Sequence, residues 1–161
     1  VLFRSRERVR ALSESLTVPI GFHAHNNLGL GVANALAAME SGASLIDGSS
    51  MGLGAGAGNA QLEAIAANLD ASAVDRDRLD AHFAMSDFVK DKFREMLPVL
   101  SASSIGSGMV GAFSGYAPQV SQVSAATGIS TRRIWEAIGD RKLVAGQETM
   151  IDEIAQDLMN L

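Results

Sequence analysis

Apolar residues recur at helical intervals through most of the chain. Val9, Leu12 and Leu16 follow a spacing of three and four residues, which predicts an amphipathic helix over residues 5–16. The same spacing predicts helices over 28–40, 60–69, 81–97, 109–126, 131–138 and 148–159. The polar stretch 70–79 is predicted to be a linker or a helix edge, and the Ser- and Gly-rich stretch 101–108 a loop.

Two short stretches, residues 19–25 and 44–48, are predicted to be strands. Alternation along the first strand places its apolar residues on one face and both His23 and His25 on the other. Helices that alternate with strands are typical of a parallel sheet or a (β/α)₈ barrel. Two strands cannot close a barrel, so we expect the remaining strands to lie outside this sequence and the chain to be a fragment.

Composition narrows the class of protein. The 161 residues are 47% hydrophobic and 19% charged, as in a folded globular chain, and no apolar run approaches the ~20 residues that span a bilayer. A net charge of -5 without a basic stripe predicts no nucleic-acid partner, and without a spanning run we expect no membrane partner. The chain has no cysteine, which fits a reducing cytoplasm and leaves His, carboxylate, amide or water as metal ligands.

The two histidines of the segment GFHAHNNLGL are the strongest chemical signal. Residues two apart on a strand point the same way, and their Cα atoms are ~6.6 Å apart, so both imidazoles can reach one ion. The alternative is a pair of histidines hydrogen-bonded near a core. Mn²⁺ and Mg²⁺ prefer oxygen ligands and about six positions, so a metal site here needs at least one further carboxylate. Asp47 lies on the second strand, where packing or an outer role is expected.

A glycine-rich loop, GLGAGAGN over residues 52–59, follows the second strand. Dense glycines allow a close backbone approach to a ligand. Gly52, Gly54 and Ala57 also satisfy a loose dinucleotide-binding fingerprint, with Asp70 near the position of a ribose-binding acid. Against that alternative, the loop begins several residues after the strand. The amide of Asn59 could cap the next helix or turn toward the histidines.

The segment HAHNNLGLGVANALAAMESGASLIDGSSMGLGAGAGNAQLE resembles the last two strands of the metal-dependent TIM barrels that catalyse aldol and Claisen chemistry. That superfamily includes the 4-hydroxy-2-oxovalerate aldolases, the hydroxymethylglutaryl-CoA lyases and the isopropylmalate synthases. The glycine loop and the tail VAGQETMI, residues 144–151, are most similar to the aldolase family, whose versions read GMGAGAGN and VGGQEDMI. The resemblance implies the last two βα units of an incomplete (β/α)₈ TIM barrel over residues 1–70, followed by a small all-helical C-terminal communication domain over 71–161.

The resemblance also implies an activity, a cofactor and partners. His23 and His25 are expected to bind a divalent metal, Mn²⁺ first with Mg²⁺ or Co²⁺ as alternatives. Asn59 is expected to contact the metal or its ligands, with Asn27, Gly54 and Gly58 beside the substrate. The expected reaction is cleavage of a 4-hydroxy-2-oxoacid such as 4-hydroxy-2-oxovalerate to pyruvate and an aldehyde, in the catabolism of aromatic hydrocarbons. The helical domain is expected to pack on an acylating acetaldehyde dehydrogenase that receives the aldehyde by channelling.

The chain also departs from the family. The family's aspartate ligand, arginine and histidine base lie near the first barrel strand, which this sequence lacks, so we expect the fragment to be inactive alone. His82 is expected to face solvent. Met109 and Phe113 occupy positions where the family has tyrosines, with Tyr116 displaced, which leaves the aldehyde preference open. The alternative functions are an acyl-CoA lyase or synthase of the same superfamily and a dinucleotide-binding or interaction module.

Overall fold

A computed structural model describes residues 2–69 and 75–160, with backbone alone at residues 2 and 3. The chain is α/β, mostly helical, with two parallel strands among the described residues. The helices are α1 Leu2–Ser15, α2 Gly31–Glu40, α3 Leu62–Asn68, α4 Arg76–Lys92, α5 Ala102–Val110, α6 Ala117–Thr127, α7 Thr131–Asp140 and α8 Met150–Met159. The strands are β1 Gly21–His23 and β2 Leu45–Asp47, and 3₁₀ turns cover Ser50–Gly52, Arg94–Met96 and Ser114–Tyr116.

The chain divides into two compact units, Val1–Val99 and Leu100–Leu161. The boundary expected from the sequence, between residues 70 and 71, lies outside the described residues, as does Asp70. Helix α4 packs against α3, so it belongs to the first unit. Its start at Arg76 agrees with the helix-edge alternative predicted for 70–79 in the described part of that stretch: Asp75 accepts a hydrogen bond from the Asp77 N–H and caps the helix.

The two strands of the first unit pair in parallel, with Phe22 opposite Ile46 and His23 opposite Asp47. The apolar face of β1 packs under α1, α2 and α3. Buried residues there form two clusters, Val9, Ile20, Ala38 and Ala43 in one and Ala24, Ala35, Ala60 and Ile65 in the other. The predicted alternation is confirmed, because Ile20 and Ala24 are buried and both histidines are exposed. Each strand is only three residues long, shorter than predicted.

Helix α2 begins at Gly31, three residues later than predicted. Residues 26–29 form a turn instead, closed by a hydrogen bond from the Gly29 N–H to the Asn26 carbonyl. The Asn26 side-chain oxygen then accepts the Gly31 N–H at 3.0 Å, which satisfies one of the donors left free at a helix start. The turn holds the segment after His25 close to the sheet edge.

The second unit is built from α5 to α8 around one apolar cluster. Its buried members are Tyr116, Val120, Val123, Ile129, Ile134, Trp135, Ile138, Leu143, Ile151, Ile154 and Ala155. The Tyr116 hydroxyl donates a hydrogen bond to the Val144 carbonyl, so this buried phenol has a partner. Helix α6 ends at Gly128, whose φ of 73° is the left-handed conformation that favours glycine.

The stretch 101–108 was expected to be a loop, and that prediction is wrong. It starts α5 instead, because Ser101 and Ser104 form a reciprocal capping box that satisfies donors at the helix start. The helix then ends at Gly111, with φ 69°, so the predicted helix over 109–126 is split into the end of α5 and α6. No described helix is both long enough and apolar enough to cross a membrane.

Gly106 brings α5 close to α7, and we expect Gly106→Ala to destabilise the second unit. A Cβ there would overlap the indole ring of Trp135, with Cγ at 3.0 Å. Alanine improves helix propensity by about 1 kcal/mol, whereas overpacking a core costs ~1–3 kcal/mol. We expect the clash to win by roughly 1 kcal/mol, measured by urea unfolding of the chain followed through Trp135 fluorescence.

The matched control is Met109→Ala in the same helix, because the Met109 side chain is exposed. We expect its free energy of unfolding to change by less than about 0.5 kcal/mol. A stabilised Gly106→Ala variant would show that α5 and α7 are not in close contact.

Candidate metal centre

His23 and His25 stand together on the exposed face of β1, where the sequence placed them. Their ring centroids are 4.9 Å apart, with the ring planes at 79°. His23 is the last residue of β1, and His25 continues the chain as an isolated bridge to Asn59. The pair therefore presents two imidazoles side by side at the carboxyl end of the strand, where parallel α/β sheets place their chemistry.

Asp47 lies beside the pair, at the carboxyl end of β2. Its Oδ2 is 3.7 Å from Nδ1 of His23, and the side chain is 81% exposed. Burial in packing is thus excluded for Asp47. Because the carboxylate lies on the Nδ1 side, Nε2 remains the nitrogen of His23 that is free for a ligand.

Asn59 reaches the same end of the sheet from the glycine loop. Its backbone bridges His25, and its N–H donates to the Gly52 carbonyl at 2.9 Å. Its side-chain Nδ2 donates to the Leu53 carbonyl, also at 2.9 Å. The side-chain Oδ1 is buried and accepts no hydrogen bond, which is costly for a buried amide. An acceptor oxygen without a partner suits a cation or a donor supplied by a ligand.

The loop glycines make this arrangement of Asn59 possible. A Cβ on Gly54 would lie 2.5 Å from Asn59 Nδ2 and 2.8 Å from its Cγ. Gly58 adopts φ 77°, and a Cβ there would overlap the Gly52 carbonyl oxygen. Both positions therefore need glycine for close approach within the loop, and they shape the site through Asn59.

Asn27 ties the loop to the turn after β1. Its side-chain oxygen accepts a hydrogen bond from the Ala57 N–H at 3.3 Å, and the neighbouring Asn26 N–H donates to the Gly58 carbonyl at 2.8 Å. These contacts give Asn27 a supporting position in the structure. They hold the glycine loop against the segment that carries His25.

The glycine loop lacks the geometry of a dinucleotide site. In such sites the glycine turn leads directly into a helix whose N-terminus binds the pyrophosphate. Here α3 begins only at Leu62, five residues after Ala57, and contains 7 residues. Asn59 does not cap it, since the N-cap is Gln61 and makes no side-chain cap.

The donors suit part of a metal site. Two imidazoles stand side by side and the backbone of Asn59 bridges His25, but the part of the chain that the structure describes contains no cluster of three His, Cys, Asp or Glu able to hold an ion. His82 lies elsewhere: it is partly buried and lines an apolar pocket with Ile46, Ile65 and Leu69, so it faces solvent less fully than the sequence predicts. Tyr116 uses its hydroxyl inside its own unit.

Two acidic residues of this region make contacts that the sequence does not predict. Asp47 was noticed but not paired with His23, because the register of two parallel strands cannot be read from their spacing. Glu63 accepts the Met51 N–H at 2.9 Å and the Ser86 hydroxyl at 3.3 Å. In the sequence Glu63 stands out only because it is the sole acidic residue between positions 48 and 69.

We expect Gly54→Ala to displace the Asn59 side chain while leaving the fold intact. The added methyl meets the end of a side chain, which can move, and Gly54 is exposed. The hydrogen bond from Asn59 Nδ2 to Leu53 should break, at a cost of about 1 kcal/mol in unfolding free energy. The check is the Asn59 side-chain amide signal in ¹H–¹⁵N NMR spectra, and an unchanged signal would contradict the close approach. Ala55→Gly, an exposed neighbour, serves as the control.

Family models match nearly the whole chain. The HMGL-like model matches residues 2–89, and the DmpG-like communication domain matches residues 98–160. Among solved structures, the carboxyl transferase domain of Rhizobium etli pyruvate carboxylase with pyruvate aligns with a TM-score of 0.70 at 18% identity, over 99% of this chain and 29% of that one. That likeness shows the fold alone.

Curated relatives are closer in sequence. A 4-hydroxy-2-oxovalerate aldolase of Spirochaeta aurantia is 46% identical over 156 residues, which are 94% of this chain and 45% of the relative. One of Pectobacterium atrosepticum is 42% identical over 158 residues, 95% of this chain and 45% of the relative. The chain thus spans under half the length of the curated relatives it matches. With the HMGL-like model covering more than half of its residues and the predicted resemblance confirmed, this chain belongs to the HMGL-like family.

Proposed function

We propose that this chain supplies two histidine ligands of the divalent metal in a pyruvate aldolase that cleaves 4-hydroxy-2-oxovalerate to pyruvate and an aldehyde. The observation that carries the proposal is the exposed pair, His23 and His25, beside the unpartnered Oδ1 of Asn59. The aldolase names of the relatives give the reaction. The substrate is therefore a small 2-oxoacid with a hydroxyl at carbon 4.

The first unit is proposed to be the last two βα units of a TIM barrel. Leu45 is 62% exposed on the same face of the sheet as the histidines, and both strands have a free edge in the described residues. A barrel interior is a packed core, so neighbouring strands would cover this face and pair with these edges. Leu12 and Leu16 of the predicted amphipathic helix are also about half exposed, as expected for a helix that lacks its neighbour.

When bound, the metal would act as a Lewis acid on the 2-oxoacid and stabilise the enolate formed on cleavage. His23 would bind through Nε2, with Asp47 orienting the ring from the Nδ1 side. Asn59 would offer its free Oδ1, an oxygen ligand of the kind that Mn²⁺, Mg²⁺ and Co²⁺ accept. The carboxylate ligand and the base would come from barrel strands outside this sequence.

The second unit is proposed to pack against an acylating acetaldehyde dehydrogenase that receives the aldehyde. Its match to the DmpG-like communication domain supports this role. Met109 and Phe113, on and just after α5, expose large apolar side chains, which is a feature of protein-binding surfaces.

The test is a chimera in which this chain replaces the 156 matched residues of the Spirochaeta aurantia relative. The chimera restores the rest of a complete aldolase around the histidine pair. We expect pyruvate release from 4-hydroxy-2-oxovalerate that depends on Mn²⁺ and stops with EDTA. The parent relative, assayed in parallel, controls for the assay itself.

A folded chimera that releases no pyruvate would contradict the proposal. Cleavage of hydroxymethylglutaryl-CoA in its place would assign the chain to the acyl-CoA lyases of the same superfamily. Far-UV circular dichroism of the chimera, compared with the parent, separates these outcomes from a failure to fold.

A further inference from the structure

We infer that Glu63 is a positioning residue that fixes the glycine loop and thereby the orientation of the Asn59 side chain next to the histidine pair. The inference rests on the proposed function for its consequence, since Asn59 matters only if the centre binds a metal. Its geometry is independent of that function. It involves the Glu63 carboxyl group, the turn at Met51 and the backbone carbonyls of Gly52 and Leu53.

Glu63 holds a turn that would otherwise be unfavourable. Met51 has φ 53° and ψ 17°, the left-handed region that a side chain such as methionine rarely adopts. Its N–H donates to Glu63 Oε1 at 2.9 Å. The Ser86 hydroxyl donates to the same oxygen at 3.3 Å and approaches the Met51 sulfur at 2.9 Å. Strained residues persist where surrounding contacts over-determine them, and Glu63 supplies the contact to the backbone.

Gly52 and Leu53, the two residues after Met51, accept hydrogen bonds from the backbone and side-chain nitrogens of Asn59. The Gly52 carbonyl accepts the Asn59 N–H, and the Leu53 carbonyl accepts Nδ2, each at 2.9 Å. The Ser49 hydroxyl also donates to the Leu53 carbonyl, at 2.6 Å. A change of the Met51 dihedral angles would rotate these carbonyls, because they follow directly in the chain. The direction of Asn59 Oδ1 is thus set by the turn that Glu63 fixes.

One oxygen of the Glu63 carboxyl group has no hydrogen-bond partner, and the role of the other oxygen accounts for this. Glu63 Oε2 is buried and accepts no hydrogen bond. The hydroxyl of Ser50 in the same turn is also buried without a hydrogen-bond partner. A buried polar atom without a partner is unfavourable. The contact of Oε1 with the Met51 N–H is the compensation, and it serves the loop that carries Asn59.

The experiment compares Glu63→Ala with Glu63→Gln in the 161-residue chain. Glutamine keeps an oxygen that can accept the Met51 N–H, whereas alanine does not. We expect Glu63→Ala to shift the Asn59 side-chain amide signal in ¹H–¹⁵N spectra and to speed hydrogen exchange at the Met51 N–H. We expect Glu63→Gln to keep both close to those of the unsubstituted chain. Glu14→Ala, on the exposed face of α1, is the control.

A second readout is the affinity for Mn²⁺ of the same variants in the chimera, whose other barrel strands supply the carboxylate ligand, measured by paramagnetic broadening of the His23 and His25 ring signals. Loss of an outer partner typically weakens metal binding by about 10- to 100-fold, so we expect a loss of about tenfold for Glu63→Ala. We expect glutamine to restore it. A role in stability alone would lower the unfolding midpoint of both variants without separating their Mn²⁺ affinities.

The outcomes separate this inference from the proposed function. Equal Asn59 signals in the alanine variant and the unsubstituted chain would overturn the role of Glu63, whatever the metal does. Shifted Asn59 signals with no Mn²⁺ broadening in any variant would support Glu63 and contradict the metal centre. If Glu63→Ala does not fold, Glu63→Asp withdraws the same carboxyl group by one methylene and answers the question through the same two signals.

Discussion

Replacing His25 by alanine in the chimera is expected to lower kcat/KM for Mn²⁺-dependent pyruvate release by more than about 100-fold. Loss of a residue that only supports a metal ligand typically costs about 10- to 100-fold, and loss of a ligand itself should cost more. The two imidazoles are the only nitrogen ligands this chain brings to the centre among its described residues, and neither has a substitute nearby. Loss of one leaves a single imidazole from this chain in a site whose ion takes about six ligands, so the ion should be held too weakly for turnover. The measurement is the initial rate of pyruvate formation against Mn²⁺ concentration.

His82→Ala is the matched control, because His82 is the remaining histidine of the chain and lines an apolar pocket away from the pair. Its effect on kcat/KM should stay within a few-fold. If His25→Ala and His82→Ala gave equal rates, the pair would not hold the metal. Excess Mn²⁺ that restored full activity to His25→Ala would point to a weaker role, in which His25 only assists binding.

Replacing Gly58 by alanine is expected to destabilise the first unit by about 3 kcal/mol, the sum of a left-handed residue with a side chain and an overpacked contact. Gly58 has φ 77°, and a Cβ would overlap the Gly52 carbonyl oxygen and lie 2.6 Å from Cγ of Pro98. The backbone cannot move away freely, since the Gly58 N–H donates to the Ala55 carbonyl and its own carbonyl accepts from Asn26. Hydrogen exchange of the first unit, followed by mass spectrometry, measures the loss.

Gly111→Ala separates the two causes. Gly111 has φ 69°, close to that of Gly58, but nothing lies within 4 Å of a Cβ at that position. We expect it to lose only about 1 kcal/mol, the cost of the backbone conformation alone. A similar loss for both variants would show that the loop is not closely packed around Gly58.

The sequence predicted the face of β1 that carries the histidines because alternation needs no knowledge of the neighbouring strand. It could not predict the pairing of His23 with Asp47, because the register of parallel strands is set by the helix between them. The free Oδ1 of Asn59 was also beyond sequence reasoning. It follows from the path of the glycine loop, in which Gly52 and Leu53 take both donors of Asn59.

The wrong prediction for residues 101–108 has a different cause. Serine and glycine have low helix propensity, so a run of both suggests a loop. Tertiary contact outweighs propensity here: Gly106 allows Trp135 of α7 to approach, and the Trp135 indole N–H donates to the Ser103 hydroxyl at 3.3 Å. The small residues that favour a loop in the sequence instead form the contact surface between α5 and α7.

The sequence and the structure agree best on the histidine pair, and one measurement tests it without relying on activity. Mn²⁺ is added to the chimera, whose other barrel strands supply the carboxylate ligand, while the imidazole signals of His23, His25 and His82 are followed by NMR. We expect the His23 and His25 signals to broaden together at low Mn²⁺ and the His82 signal to persist. Equal broadening of all three, or none at His23 and His25, would contradict a metal centre at this strand.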